Sequence, residues 1–169
     1  MSTGAASDEH WRSILTPEEF VVLRLKGTEP AGSGVHNDQF PATGRYVCRA
    51  CQSPLYSAAS KFRSSCGWPA FSRCYVGAIR CEPDLDNFEA SGGRVEILCG
   101  HCGGHLGHVF MNESSTCDER HCVNSLSLSF QGEGSDKETP SEEESLRAAY
   151  DDAMRRAIGM LMGNVGNAP

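Results

Sequence analysis

The amino-acid sequence predicts a mainly β domain cross-tied by cysteine-ligated metal, with a short helix before it and a helical extension after it. Three observations carry this expectation. Between residues 45 and 130, short apolar or alternating runs are separated by clusters of Gly, Pro, Ser and Asn, the pattern of short strands joined by turns. Two Cys-x-x-Cys pairs stand in that middle with 47 residues between them. Helix-start signatures flank it on both sides, at Thr16 and at Ser141.

Residues 1–10 are expected to form a disordered N-terminus, and residues 11–130 the domain itself. Thr16-Pro17-Glu18-Glu19 offers a capping Thr, a first-turn Pro and a Glu three residues after the cap, so a short helix should run to about residue 24. Gly27 and the polar stretch 28–41 read as a long surface connection wrapped over the core. Strands are expected over 45–48, 78–82, 94–98 and 108–110. The clearest spans 122–130, where Leu126, Leu128 and Phe130 alternate with three serines at period two. Cys122 and Asn124 share the core-facing parity, so both should point inward or into a cleft. Residues 131–140 form a polar linker, and Ser141 with Glu144 makes a second capping box, which predicts a helix over 141–163. Its stripe of Leu146, Tyr150, Met154, Ile158, Leu161 and Met162 should dock onto the domain or onto a second copy, with Gly163 as the stop.

A chain of 169 residues holds one domain with a real core and a short appendage. The net charge of -7 is uneven, because residues 131–169 carry eight acidic and four basic side chains. The 15 Lys and Arg residues form no basic run, which argues against a nucleic-acid partner. No apolar run approaches the roughly 18 residues of a membrane span, and MSTGAASDEHWR lacks the pattern of a targeting peptide, so a cytosolic address is expected.

Nine cysteines are an odd number, so some thiols must be free or metal-bound. Cys48-Arg49-Ala50-Cys51 and Cys99-Gly100-His101-Cys102 are two knuckles, each able to cover one face of a tetrahedral ion. Together they predict a closed four-sulfur zinc site with a structural role. The rival reading, a disulfide isomerase, rests on the letters of Cys99-Gly-His-Cys102, but a redox pair of that kind opens a helix and Gly103-Gly104 follows here. Of the other thiols, Cys122 stands out: Arg120 and His121 precede it, and a nearby cation favours thiolate, the attacking species. Cys66 sits in the turn Cys66-Gly67-Trp68-Pro69, where Trp68 could wall a pocket for a methyl or thioether group.

At these residues the sequence resembles the B-type methionine sulfoxide reductases, which reduce the R epimer of methionine sulfoxide. The resemblance covers residues 11–130 and rests on Leu23-Arg24 with Gly27-Thr28-Glu29, both knuckles, Cys66-Gly67-Trp68-Pro69, His105-Leu-Gly-His108-Val-Phe110 and Arg120-His121-Cys122-Val123-Asn124-Ser125. It implies two small antiparallel sheets, with zinc on Cys48, Cys51, Cys99 and Cys102 away from the reactive end. It implies that Cys122 attacks the sulfoxide and becomes a sulfenic acid, that Cys66 resolves it as a disulfide, and that thioredoxin or a related dithiol reopens the bridge. It further implies that His105, His108, Arg120 and Asn124 serve the developing charge, that Trp68 binds the methyl group, and that the substrates are oxidised proteins or peptides.

The sequence departs from that pattern in three places. Asn112 replaces a common Asp, which puts in question an acidic partner for His108. His121 replaces a common Tyr, and the preceding loop is acidic and carries Cys117, a competitor for the resolving role. Cys74 and Cys81 have no assignable chemistry, and residues beyond 130 lie outside the resemblance. A non-catalytic zinc-ribbon interaction module of the same fold is the alternative, against which the presence of both Cys66 and Cys122 counts.

Overall fold

Two capped helices open the computed structural model, which describes residues 6–87, 94–112, 118–134 and 140–163. Ser7 accepts the His10 N–H at 3.3 Å and starts α1, Asp8–Ile14. The disorder expected over 1–10 is therefore corrected for residues 8–10, whose acidic first turn suits a helix N-terminus; residues 1–5 lie outside the described residues. At α2, Pro17–Leu25, the capping box forms as expected: the Glu19 N–H donates to Thr16 at 3.2 Å and the Thr16 N–H donates to the Glu19 carboxylate at 2.9 Å. Trp11, Leu15, Phe20 and Leu23 carry both helices into the core.

Among the described residues eleven strands follow: β1 (Arg45–Cys48), β2 (Pro54–Ser57), β3 (Lys61–Phe62), β4 (Ala70–Phe71), β5 (Cys74–Tyr75), β6 (Ile79–Asp84), β7 (Arg94–Cys99), β8 (His105–Met111), β9 (Glu119–Val123), β10 (Leu128–Gln131) and β11 (Glu143–Glu144). All pairing is antiparallel. A six-stranded sheet runs β3-β4-β9-β8-β7-β6, a three-stranded sheet runs β10-β1-β2, and β11 pairs with β5 as a ribbon. The mainly β, antiparallel fold expected from the sequence is what the chain adopts. The connection over 28–41 contains no helix or strand, and Lys61 ties it down, donating to the Asn37 carbonyl at 3.0 Å with its ammonium over the Phe40 ring.

Two expectations need correction. The single strand over 122–130 is two: β9 ends at Val123, a 3₁₀ turn occupies Ser125–Ser127, and β10 joins the other sheet. Ser125 and Ser127 are buried while Leu126 is half-buried, the reverse of the alternation. The Glu29 carboxylate causes the break by taking the N–H groups of Ser125 and Leu126, and Ser127 donates its hydroxyl to the His105 carbonyl. Ser141 starts no helix either. The backbone of Glu143 and Glu144 is taken by β5, and the helix α3, Arg147–Gly163, begins with its Arg147 N–H on the Ser145 hydroxyl at 3.1 Å. The expected stripe docks in its first half, where Leu146 is buried and Tyr150 and Met154 pack against the core, but Ala153 and Ala157 replace its second half, with Ile158 and Met162 48% and 72% exposed. Small alanines let α3 lie against β6, where Arg156 reaches Glu82 at 2.8 Å. Of the linker expected over 131–140, residues 135–139 lie outside the described residues. Among the described residues no helix is long and apolar enough to cross a membrane.

Candidate active site

Strand β9 alternates in burial, with Glu119, His121 and Val123 inside and Arg120 and Cys122 half-buried on the other face. Cys122 therefore points into a cleft. Its pairing with Ala70 in β4 places the turn before β4 beside it, and Cys66 Sγ lies 3.5 Å from Cys122 Sγ. Gly67 makes that turn possible: its φ of +91° is the region that side-chain-bearing residues avoid, and a Cβ would come 2.8 Å from that of Ala31. Gly107 is required for a different reason. A Cβ there would lie 1.9 Å from the Cys122 carbonyl oxygen, so only glycine lets β8 pass β9 so closely.

A cavity of about 120 Å³ opens at Cys122, walled by Trp68, His108, Phe110, Asn124, Arg94 and Thr28. Sites for drug-sized molecules begin at roughly 300 Å³, so this one suits a single side chain. Cys66 does not line it. A larger cavity, about 710 Å³ between α2, the 28–41 connection and β10, holds neither thiol.

The two sulfurs share protons. The hydrogen bond from Cys122 draws the Cys66 thiol down to about 5, and the same contact, with burial, pushes Cys122 well above the ordinary thiol range. Arg120, stacked 4.4 Å from the Phe110 ring centroid, is a lesser cause that pulls both thiols down. The contact thus makes Cys66 the more acidic thiol of the pair.

His108 lines the cavity and its Nε2 pairs with Asp84 at 2.9 Å; burial lowers its pKa and Asp84 opposes that. The carboxylate questioned at Asn112 thus arrives from β6. Asn112 itself holds φ +57°, a conformation Asn tolerates, and accepts from Arg147 at 2.7 Å. His105 stands one layer back, 5.7 Å ring to ring from His108, with Nδ1 2.6 Å from the buried Glu96 carboxylate. Glu96 also receives Lys26 at 2.7 Å. Asn124 walls the cavity, yet its amide is committed to backbone: Nδ2 donates to the Leu106 carbonyl at 3.0 Å and Oδ1 accepts the Glu29 N–H at 3.0 Å. Trp68 is held by its indole N–H on the Glu29 carbonyl at 3.0 Å.

Asp84, Glu96 and Glu119 belong to none of the motifs in the sequence. Glu96 has the outward parity of a surface strand residue beside Val95 and Ile97, and Asp84 follows a Pro at a strand end, so neither carries a local signal. Cys117 lies outside the described residues. Cys74 and Cys81 are buried, which pushes the Cys81 thiol up to about 12 and Cys74 higher still, and keeps both inert.

Cys48, Cys51, Cys99 and Cys102 converge, with all four Sγ atoms within 4.8 Å of one another. Sγ separations of 3.7 Å for Cys48 to Cys102 and 3.6 Å for Cys51 to Cys99 approach the roughly 3.8 Å edge of a tetrahedron with zinc–sulfur bonds of about 2.3 Å. The donor set therefore fits a metal ion.

A family model described as SelR domain matches residues 15–132. Peptide methionine sulfoxide reductase B5 of Oryza sativa subsp. japonica is 54% identical over 126 residues, 73% of this chain and 88% of that protein. Peptide methionine sulfoxide reductase B7 of Arabidopsis thaliana is 51% identical over 130 residues, 76% of this chain and 86% of that protein. The chloroplastic peptide methionine sulfoxide reductase B3 of Oryza sativa subsp. japonica is 53% identical over 126 residues, 73% of this chain, which spans only 52% of that relative.

Proposed function

The chain belongs to the SelR-domain family, and from that membership we infer that it is an oxidoreductase reducing methionine sulfoxide in proteins, with the R epimer as substrate, Cys122 as nucleophile and Cys66 as resolving thiol. One observation carries the division of roles. Cys122 faces a side-chain-sized cavity beside Trp68, while Cys66 stands 3.5 Å from it and outside the lining.

The indole of Trp68 packs against the substrate methyl group, since sulfur-bound methyls sit well on aromatic faces. Cys122 passes its proton to the Cys66 thiolate, and its own thiolate attacks the sulfoxide sulfur. The sulfoxide oxygen, as it gains charge, takes hydrogen bonds and a proton from groups at the cavity wall, with His108 foremost because it lines the space and Asp84 steadies its charged form. His105, locked by Glu96, packs behind His108, and Arg120 favours anionic sulfur at Cys122. Asn124 holds the cavity wall in place. Methionine departs, the oxygen remains on Cys122 as a sulfenic acid, and Cys66 attacks that sulfur with loss of water to close a disulfide. Thioredoxin or a related dithiol reopens the bridge by thiol exchange. Cys48, Cys51, Cys99 and Cys102 would hold zinc as a closed site, which contributes cohesion to the fold and leaves no open position for chemistry.

The test follows a racemic methionine sulfoxide peptide by chiral chromatography, with dithiothreitol as reductant and Cys122→Ser as control. Loss of the R epimer alone, absent in the variant, is expected; no turnover by zinc-loaded, fully reduced protein would overturn the reading. Cys66→Ser should complete a single round yet fail to cycle with thioredoxin, and wild-type cycling by that variant would remove Cys66 from the mechanism.

A further inference from the structure

We propose that the C-terminal extension, residues 141–163, positions the reactive thiol pair, with Glu119 as the residue through which it acts. The inference rests on the resolving role given to Cys66 above and adds to it a part of the chain beyond the SelR match, which ends at residue 132.

Glu119 is 2% exposed, and a carboxylate buried to that degree must be surrounded by donors. Its Oε1 accepts from His121 Nε2 at 2.8 Å and from the Leu146 N–H at 3.1 Å, its Oε2 accepts from the Ser145 hydroxyl, and the Arg73 guanidinium stands 3.6 Å away. Ser145 and Leu146 both belong to the extension. The same segment makes a second contact just beyond the end of β8, where Arg147 donates to Asn112 at 2.7 Å. It is itself anchored elsewhere, by the β11–β5 pairing and by Arg156, which donates to Glu82 at 2.8 Å and to the Cys81 carbonyl at 3.0 Å. The extension is thus a fixed support and Glu119 the point where it bears on β9.

From Glu119 the constraint reaches both sulfurs. His121 is fully buried and directly precedes Cys122. With its Nε2–H on Glu119, its Nδ1 is the acceptor for the Tyr56 hydroxyl at 3.3 Å. The Tyr56 ring stacks on Phe71 at 4.0 Å and 12°, and Phe71 and Ala70 pair in register with His121 and Cys122. Those two residues follow directly on the Cys66-Gly67-Trp68-Pro69 turn. Glu119 therefore holds one strand by its backbone neighbour and the other through two rings. Without the donors from the extension, the carboxylate would turn toward water and take the start of β9 with it. The separation of 3.5 Å between Cys66 and Cys122 would widen, and their disulfide would form less readily.

The experiment equilibrates the full-length zinc-loaded protein with graded ratios of oxidised to reduced glutathione. Each Cys66–Cys122 bridge formed consumes one oxidised glutathione and releases two reduced ones, and its fraction is read by mass spectrometry after acid quench. Wild type is compared with Ser145→Ala/Arg147→Ala, Glu119→Gln and Ser145→Thr, all below their melting temperatures. The double variant and Glu119→Gln should need about tenfold more oxidising buffer for half-formation and lose kcat at little-changed KM, while Ser145→Thr, which keeps the hydroxyl, stays near wild type. Should the double variant not fold, Ser145→Ala alone gives the same direction with about threefold effect. Folded variants whose bridge forms as in wild type would overturn the proposal alone. A wild type that forms no Cys66–Cys122 bridge would overturn the resolving role, and the proposal with it.

Discussion

Two sulfurs 3.5 Å apart cannot both be anionic in a half-buried cleft, so the pair holds one proton and the first ionisation is easy at the expense of the second. Because the hydrogen bond from Cys122 draws the Cys66 thiol down to about 5, Cys66 is the thiol of the pair that ionises first. Its pKa is depressed, so the thiolate is present above about 5 and lost as the pH falls through that value. The alkylation rate of Cys66 should therefore rise through an inflection near 5. Cys122→Ala removes the donor that produces the shift, and the inflection should move up by about one unit or more. An unmoved inflection, measured with iodoacetamide from pH 4 to 9, would mean that Arg120 rather than the second thiol sets the charge. Residue chemistry of this kind was partly legible in the sequence. Arg120, His121 and Cys122 are contiguous and set a cation beside a thiol, but which sulfur ionises first depends on a neighbour 56 positions away.

At the scale of elements, the 28–41 connection and the 3₁₀ turn Ser125–Ser127 form one unit through Glu29. This carboxylate is 4% exposed and accepts the Ser125 and Leu126 N–H groups at 2.6 and 2.9 Å, while its own N–H and carbonyl bind Asn124 and Trp68. Glu29→Ala would leave two turn N–H groups without their acceptor and should cost about 2–4 kcal/mol, read as a lower urea midpoint. Because the cavity wall at Trp68 and Asn124 hangs on the same residue, KM for the sulfoxide peptide should rise as well; a loss of stability with unchanged KM would separate Glu29 from the site. The strand pattern over 122–130 failed here for a physical reason. Period-two alternation reports burial on a sheet face, whereas these serines are buried by hydrogen bonds to Glu29 and His105, donors and acceptors no local pattern contains. Ser141 failed likewise, because a capping box is a local preference worth about 1 kcal/mol, and pairing with β5 outweighs it.

On the scale of the molecule, the four-cysteine cluster clasps the two main sheets, since Cys48 closes β1 of the three-stranded sheet and Cys99 closes β7 of the six-stranded one. Removing the metal with a chelator under reducing conditions should lower Tm by more than about 10 °C, and metal analysis should find one zinc per chain. An unchanged melting curve on metal loss would make the clasp dispensable. The sequence by itself determined the β class, the two N-terminal capping features of α2, the paired spacing of the four clustered cysteines and the set of thiols, because each of these is written in short-range pattern or in the chemistry of a motif. Only the tertiary structure decided where β9 gives way to β10, that Asp84 and not residue 112 serves His108, and that residues 143–146 insert into the domain beside Glu119. A buried charge takes whatever donors the fold brings within about 3 Å, and those donors come from segments that no local window on the chain connects.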